Sequence, residues 1–266
     1  MPRIAALYRY PLKGFTAESL ETASVREDGR IAGDRVLGLR LADNPAADDE
    51  WSPKTGMLVL VNTPGIARLA VSFDDGARRL SVGLDNTVLA YESIDNPDGR
   101  ERIAAAVQEY ALTLDVSPIR GRPDRLPLRL VGDGVTPRFH DRDPGNLSMH
   151  GRGSMVALGE AIEDGHLDEV RFRSNVAIEG LEPWEELSWA DGATIRIGSM
   201  TFEVPRPLTR CLATHANPAT GERDRDVMNT LVRAFGQAQP TFAVTLIALA
   251  PGELHVGDEV EVLSRA

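Results

Sequence analysis

The sequence predicts a mainly β protein of the α+β class, built as two β-barrel-like units with a few packed helices. Short segments of alternating apolar and polar residues recur along the chain, which is typical of strands that bury one face. These segments follow one another across turn residues instead of alternating with helices, which argues against a Rossmann-type parallel sheet. The G-x-G-x-x-G, P-loop and G-x-S-x-G motifs are absent from the sequence.

The first half of the chain is predicted to be strand-rich, with strands at residues 3–10, 19–27, 36–41, 57–61, 79–84 and 87–91. The last two flank Asp85-Asn86, a two-residue hairpin signal. Residues 101–114 are predicted to form a helix, because apolar side chains recur there at helical spacing. Proline and glycine punctuate residues 112–124, which indicates a domain boundary. We therefore predict an N-terminal domain at residues 1–114 and a second domain at residues 115–266.

The second half is predicted to contain strands at residues 126–131, 147–150, 170–178, 194–197, 200–204, 242–249 and 254–263. Ser154 stands where a helix N-cap is expected, and Gly165 is expected to end that helix. Another helix is predicted at residues 226–235. In the strand predicted at 170–178, alternation places Arg171, Arg173 and Asn175 on the same face.

Composition is that of a globular protein, with 42% hydrophobic and 26% charged residues. The net charge of −11 makes attraction to nucleic acid an unlikely role, and no segment is long and apolar enough to predict a membrane span. One cysteine and no visible secretion signal predict a cytoplasmic location. Of 29 basic residues only Lys13 and Lys54 are lysines. The arginines gather between Arg120 and Arg173 and around the cysteine, which suits a small anionic ligand.

The cysteine, Cys211, is either an inert buried side chain or a reactive one, since it has no partner for an internal disulfide. Arg206 and Arg210 flank it, and nearby positive charge favours the thiolate that binds soft metals or attacks electrophiles. His215 follows at i+4, which would allow a shared zinc ion if the segment were helical. The arginines of residues 171–173 admit two interpretations, a solvated face or a cradle for an anion.

Several motifs together resemble the MOSC domain, named for the C-terminal domain of molybdenum cofactor sulfurase. Residues 206–211, RPLTRC, and the NPATG at 217–221 resemble its PxxRC and DPxTG signature. Residues 171–175, RFRSN, are similar to its RFRPN. Residues 139–141 resemble its F-x-D segment, and residues 154–158 resemble its S-x-x-x-L segment. Residues 252–260, GELHVGDEV, resemble its closing segment. The first hundred residues resemble the β-barrel domain that precedes MOSC in the mitochondrial amidoxime-reducing component and its bacterial relatives.

That resemblance implies a fold and a set of site residues. It implies a MOSC β-barrel domain with packed helices at residues 115–266, after an N-terminal β-barrel domain. It implies molybdenum cofactor, Mo-molybdopterin, with Cys211 as metal ligand and catalytic centre; pyridoxal phosphate is not expected. The remaining cofactor-binding residues that it implies are Lys13, Gly14, Arg35, Ser154, Arg173, Asn175, Thr209 and Arg210.

The sequence departs from the family pattern at three places. Gly14 replaces a usual serine, Ser174 replaces a proline, and residues 51–54, WSPK, replace a Gln-Arg-rich stretch. The last change bears on the substrate entrance more than on the cofactor.

The function that the resemblance implies is reduction of N-hydroxylated or N-oxide small molecules. Electrons would come from a separate protein of ferredoxin, flavodoxin or cytochrome type with its reductase. Two alternatives remain: a sulfur carrier or cofactor-delivery module that holds a persulfide on Cys211, and a non-catalytic cofactor-binding protein.

Overall fold

The computed structural model describes residues 1–142 and 145–265 of the chain. It confirms the mainly β class, with sixteen strands and three α-helices in these residues. The strands are β1 (Arg3–Arg9), β2 (Glu18–Leu20), β3 (Thr22–Val25), β4 (Gly38–Arg40), β5 (Ala70–Asp74), β6 (Arg79–Leu84), β7 (Thr87–Ser93), β8 (Arg129–Val131), β9 (Leu147–Gly151), β10 (Val176–Glu179), β11 (Ala193–Ile197), β12 (Met200–Val204), β13 (Pro207–Thr209), β14 (Thr241–Ala248), β15 (Gly252–His255) and β16 (Val260–Ser264). The helices are α1 (Pro97–Thr113), α2 (Arg152–Ile162) and α3 (Val227–Phe235).

The largest sheet has nine strands and combines both halves of the chain. Its order is β16-β11-β12-β14-β9-β10-β1-β2, and β13 pairs with β14 beside this path. Strand β1 pairs antiparallel with β10, while β9 and β10 are parallel. Smaller sheets are formed by β5-β6-β7, by β3 with β15 and by β4 with β8. Because strands from residues 3–25 pair with strands from beyond residue 170, the N-terminal segment is fastened into the second half. The division at residues 114 and 115 stays a prediction.

Apolar side chains form a core in each half and a smaller cluster around the helices. The first core lies between the β5-β6-β7 sheet and α1, with Val71, Leu80 and Val107 among its buried members. The second lies along the large sheet, and the third joins α2 and α3 through Leu158 and Leu231. Burial of this apolar surface supplies most of the driving force for folding.

Helix boundaries differ from the sequence predictions for local reasons. Helix α1 begins at Pro97, earlier than predicted, because Asn96 caps it and accepts a hydrogen bond from the Asp98 N–H. Helix α2 begins at Arg152 after Gly151, so the prediction of Ser154 as N-cap is wrong; that residue lies inside the first turn. The helix ends at Ile162, before Gly165, because Glu163 adopts a left-handed conformation with φ of 60°.

Four predicted strands are also corrected. The strand predicted at residues 19–27 divides into β2 and β3. Residues 170–178 are not one strand: a 3-10 helix spans Glu169–Phe172, Arg173 is left-handed with φ of 54°, and only β10 is extended. The arginines therefore do not alternate along one strand face. Residues 57–61 form only an isolated bridge between Arg40 and Met57. Residues 254–263 divide into β15 and β16. The β6-β7 and β11-β12 hairpins are confirmed.

A helix that crosses a bilayer needs about 20 consecutive, mostly apolar residues. No helix in the described part of the chain is both long and apolar enough to span a membrane.

Candidate cofactor site

A cavity of about 350 Å³ lies where loops from both halves of the chain meet. The first half contributes the turn that carries Lys13 and the loop that carries Lys54. The second half contributes residues 171–173 and the segment 206–211, which ends at Cys211. An apolar wall faces these polar groups and is formed by Val59, Leu60, Val61, Phe172 and Leu208. The cavity thus joins a thiol, several cations and an apolar surface.

Seven of the nine predicted site residues line this cavity: Lys13, Gly14, Arg35, Arg173, Thr209, Arg210 and Cys211. Ser154 and Asn175 are buried but are not among its lining residues. The Ser154 hydroxyl donates to the Glu186 carboxylate at 2.8 Å, and the Asn175 amide donates to the Tyr8 carbonyl at 3.1 Å. Both side chains are therefore engaged with neighbouring protein groups. Their contact with a cofactor stays a prediction.

The turn that places Lys13 depends on glycine at the next position. Gly14 has φ of +88°, a conformation that side-chain-bearing residues adopt with strain. A Cβ atom there would lie 2.9 Å from the Cα of Val59. A serine at this position would therefore meet the backbone of the cavity wall. Glycine lets the lysine turn and the wall pack directly against each other.

Lys13 and Lys54 converge on the same carboxylate, that of Asp141. Lys13 is 4% exposed, and its Nζ donates to the Phe139 carbonyl at 2.8 Å and to Asp141 Oδ1 at 2.9 Å. Lys54 Nζ lies 3.7 Å from the other oxygen, Oδ2. Burial lowers the pKa of Lys13, although Asp141 opposes this shift. Burial alone would raise the pKa of Asp141, but the charges of Lys13 and Lys54 hold it well below its usual range.

Arg35 is held by a buried network at the base of the cavity. It follows Gly33-Asp34 in a left-handed conformation, with φ of 52°. Its Nη1 donates to the Asp34 carboxylate, and its Nη2 donates to the Arg173 carbonyl at 3.1 Å. Asp34 also accepts from the Tyr10 N–H at 2.8 Å and lies 3.3 Å from His140 Nε2. Burial would raise the pKa of Asp34, but the Arg35 charge keeps it far below its ordinary value.

Arg173 and Arg210 lie in the cavity wall with part of each guanidinium unbonded. The Cζ of Arg173 is 4.2 Å from the Tyr10 ring centroid, and the Cζ of Arg210 is 5.5 Å from that of Phe172. These aromatic contacts fix the planes of the guanidiniums. Arg173 Nη2 and Arg210 Nε and Nη2 are buried without a hydrogen-bond partner. Burial lowers the pKa of each arginine to about 10. Buried cationic donors of this kind favour an anionic ligand.

Cys211 lies at the start of a 3-10 helix, Leu212–His215, and its side chain is partly exposed in the cavity. Lys54 Nζ lies 3.8 Å from Sγ. The loop at residues 215–224 is held by Arg171. The Arg171 guanidinium donates to the His215 carbonyl at 3.2 Å and to the Asp224 carboxylate at 3.1 Å. Ala216 reaches into the core of the first half. The thiol is therefore fixed in place yet accessible.

The structure does not bring His215 and Cys211 onto a shared zinc ion. The residues between them form a short 3-10 helix, and His215 Nε2 accepts the Met228 N–H at 3.2 Å. The described residues contain no group of three His, Cys, Asp or Glu side chains that could hold a metal ion. A metal bound to the Cys211 thiolate would therefore need other ligands brought by an organic cofactor.

Family comparison assigns the second half of the chain. Residues 136–261 match the MOSC domain model. These residues form a MOSC domain. The matched range contains the cysteine and Arg173, whereas Lys13, Arg35 and Lys54 lie outside it and still line the cavity. The first 135 residues thus complete the wall of the MOSC-domain cavity.

The MOSC-domain relatives include much longer proteins. The chain is 39% identical over 171 residues to a protein from Anopheles gambiae named molybdenum cofactor sulfurase, a match that covers 58% of this chain and 20% of that one. It is 41% identical over 69 residues to a protein of the same name from Drosophila grimshawi, a match that covers 25% of this chain and 9% of that one. The chain thus spans a fifth or less of the length of these relatives. In structure it is similar to the YuaD protein from Bacillus subtilis, with a TM-score of 0.45 and 12% sequence identity. The match covers 98% of this chain and 96% of that one.

Sequence reasoning missed several residues of the MOSC-domain cavity. It did not assign Lys54, Asp141 or His140 to the site, although they line it. The rarity of lysine was the available signal for Lys54, because only two occur in the chain. Arg142 and Arg206 also line the cavity and were not assigned to it.

Proposed function

We propose that this MOSC-domain protein binds molybdenum cofactor and reduces N-hydroxylated or N-oxide small molecules. The observation that carries the proposal is the accessible Cys211 thiol in a cavity whose wall contains the unbonded guanidinium nitrogens of Arg173 and Arg210. A thiolate is a ligand for a soft metal, and buried guanidiniums bind phosphate through charge-assisted hydrogen bonds. These residue types fit a cofactor that combines a metal with a phosphate-bearing organic ligand.

The residues of the site would have three roles: ligating the metal, binding the organic part of the cofactor and supporting these groups from behind. Cys211 would ligate the metal, while Lys13, Arg35, Arg173, Thr209 and Arg210 would hold the organic part and its phosphate, with Gly14 close to them. Ser154 and Asn175 would support the site from the packed layer behind it. When bound, the cofactor supplies two-electron redox chemistry; the protein supplies ligation, orientation and electrostatics.

The overall reaction needs two electrons and two protons for each substrate molecule. The N–O bond breaks, the nitrogen keeps its carbon substituent, and the oxygen leaves as water. The Lys54 ammonium lies 3.8 Å from the thiol and 3.7 Å from Asp141 Oδ2, so the ion pair with Asp141 holds the ammonium next to the reacting position. The apolar side chains of the wall limit water around an organic substrate. Electrons come from a separate electron-transfer protein of ferredoxin, flavodoxin or cytochrome type.

A second candidate is a sulfur carrier. Its support is the name of the insect relatives, molybdenum cofactor sulfurase, together with the accessible thiol. In this alternative Cys211 holds a persulfide and delivers the sulfur to an acceptor. A persulfide adds about 32 Da to the protein and is removed by a thiol reductant.

Cys211→Ala separates the two candidates. For the reductase we expect the variant to keep much of the pterin, since the phosphate contacts are intact, and to lose activity with a reduced viologen as electron donor. Arg173→Ala should instead lower pterin content, because a charge-assisted contact worth about 1.5–3 kcal/mol is removed. Metal analysis, pterin fluorescence and intact-protein mass are measured on the same samples. Full activity and full molybdenum content in Cys211→Ala would refute the reductase, and a reducible 32 Da adduct on wild-type protein would favour the carrier.

A further inference from the structure

The cavity holds more positive charge than one bound phosphate requires. Eight cationic side chains line it, against one carboxylate, Asp141, in the described part of the wall. Four of the cations have a carboxylate partner inside the protein: Lys13 and Lys54 with Asp141, Arg35 with Asp34, and Arg171 with Asp224. The other four, all arginines, have no carboxylate partner among residues 1–142 and 145–265: Arg142, Arg173, Arg206 and Arg210.

These four arginines form two pairs at different depths. Arg173 and Arg210 belong to the buried wall described above. Arg142 is exposed and Arg206 is half-buried, which places this pair nearer the solvent. Burial lowers the pKa of Arg206, and the neighbouring positive charge of Arg142 lowers it further. Both residues also line the same cavity.

One phosphate cannot neutralise both pairs. A phosphomonoester carries a charge of about −1.5 to −2 at neutral pH, which balances two guanidiniums. If the cofactor phosphate is bound by Arg173 and Arg210, no carboxylate among residues 1–142 and 145–265 pairs with Arg142 or Arg206. Arg206 is half-buried and has the positive charge of Arg142 nearby, so a bound anion would stabilise this pair. The outer pair therefore suits an anion of its own.

The outer pair is attached to the segments that surround the thiol. Arg206 lies five residues before Cys211, and its carbonyl accepts hydrogen bonds from the N–H and the hydroxyl of Thr245, both at 3.0 Å. Arg142 follows Asp141, which binds the lysine next to the thiol. The same cavity has the apolar wall of residues 59–61. Cations, thiol and apolar wall together match an organic molecule with an anionic group.

We propose that Arg142 and Arg206 recognise the phosphate or carboxylate of the substrate itself, so that the enzyme acts on anionic N-hydroxylated compounds. The substrate class rests on the function proposed above, whereas anion binding by this pair does not. The pair binds the anion and leaves the reacting N–O group free to approach the thiol side of the cavity. This assigns a role in substrate specificity to two residues that are not among those proposed to bind the cofactor.

The first test measures anion binding directly. Inorganic phosphate and acetate are titrated by calorimetry into protein whose pterin and molybdenum contents have been measured. Arg142→Gln/Arg206→Gln is compared with Arg196→Gln, which removes an exposed arginine of β11 outside the cavity wall. We expect at least one of the anions to bind wild type and Arg196→Gln equally, and the double variant about tenfold or more weakly. Equal binding to all three proteins would overturn the proposal.

The second test uses matched probes: benzamidoxime, its 4-carboxylate and its 4-phosphonooxy derivative. With a viologen donor, we expect the double variant to raise KM for an anionic probe about tenfold, with kcat and the neutral probe unchanged. Which anion is affected identifies the group recognised. Equal loss for neutral and charged probes would overturn the specificity role. If no probe is reduced while anion binding still depends on the pair, the reductase fails and the anion site stands.

The third measurement separates the substrate anion from a second phosphate of the cofactor. The pterin is released from wild type and the double variant, and its mass is determined. We expect a pterin with a single phosphate and equal occupancy in both proteins. A nucleotide-bearing pterin whose occupancy falls in the double variant would assign the outer pair to the cofactor and overturn the proposal.

Discussion

Side-chain position in the cavity is set by backbone conformations that few residues tolerate. Arg35 and Arg173 both have positive φ, and Gly14 has φ of +88° next to Lys13. Left-handed backbone costs a residue with a side chain roughly 1–2 kcal/mol. At Arg35 and Arg173 that cost is offset by buried contacts, to Asp34 for the first and to the Phe15 carbonyl and the Tyr10 ring for the second. Arg35 and Arg173 are therefore held by strained turns rather than by regular strands.

Gly14 provides a test at the scale of one residue. Gly14→Ala should destabilise the protein by about 2–4 kcal/mol, because it adds left-handed strain and places a Cβ against the Val59 backbone. Gly121→Ala is the matched control: its φ is +70°, but no atom lies within 4 Å of the added Cβ. We expect a cost of about 1–2 kcal/mol there. Urea unfolding measures the free energy of unfolding of both variants, provided that its dependence on urea concentration is unchanged. Equal losses of stability in the two variants would mean that the Val59 backbone shifts to make room for the added Cβ.

Among the elements, the 3-10 helix Glu169–Phe172 is tied to α2 and β1 through one carboxylate. Glu169 accepts both guanidinium hydrogen bonds of Arg152, at 2.9 and 2.8 Å, and the Tyr8 hydroxyl at 2.8 Å. His150 Nε2 lies 3.4 Å from it. Burial would raise the pKa of Glu169, but hydrogen bonds from His150 and Arg152 hold it far below its usual range. The carboxylate thus positions the segment that leads to Arg173.

This coupling predicts a pH dependence of stability. Because the pKa of Glu169 is depressed in the folded state, its contribution is present above the unfolded value of about 4.3 and is lost as pH falls below it. Glu169→Gln should lower the free energy of unfolding at pH 7 by about 1–3 kcal/mol, and the difference from wild type should shrink in acid. Glu109→Gln, at an exposed position of α1, is the control. A difference that is constant between pH 7 and pH 3 would contradict the assignment.

Sequence patterns predicted the elements whose structure is local and missed those decided by distant contacts. The β6-β7 hairpin follows from Asp85-Asn86, and both residues have the positive φ that such a turn needs. The strand at residues 170–178 was wrong because alternation cannot reveal that Arg173 turns left-handed to reach the Phe15 carbonyl and the Tyr10 ring. Lys54 and Asp141 could not be paired from sequence, since 86 positions separate them. The motif residues around Cys211 were found because they are contiguous.

At the scale of the whole molecule, we expect electrons to be supplied by a separate protein. The chain contains one cysteine, which cannot hold an iron–sulfur cluster, and no dinucleotide-binding glycine motif. We expect purified, molybdenum-loaded protein to reduce benzamidoxime with a reduced viologen but not with NADH alone. Adding a ferredoxin or flavodoxin with its reductase should restore NAD(P)H dependence. Turnover of the single chain with NADH would contradict this expectation.

The contact between Gly65 and Gly221 ties the two halves of the chain together at the loop behind the thiol. A Cβ on Gly221 would lie 2.6 Å from the Cα of Gly65, so backbone meets backbone there. Recombination between related genes would therefore be constrained. A chimera that inherits residues 136–261 from one parent and the preceding segment from another must keep glycine at position 221, and it must also inherit a compatible lysine turn. We therefore expect residues 136–261 and the segment before them to be inherited together.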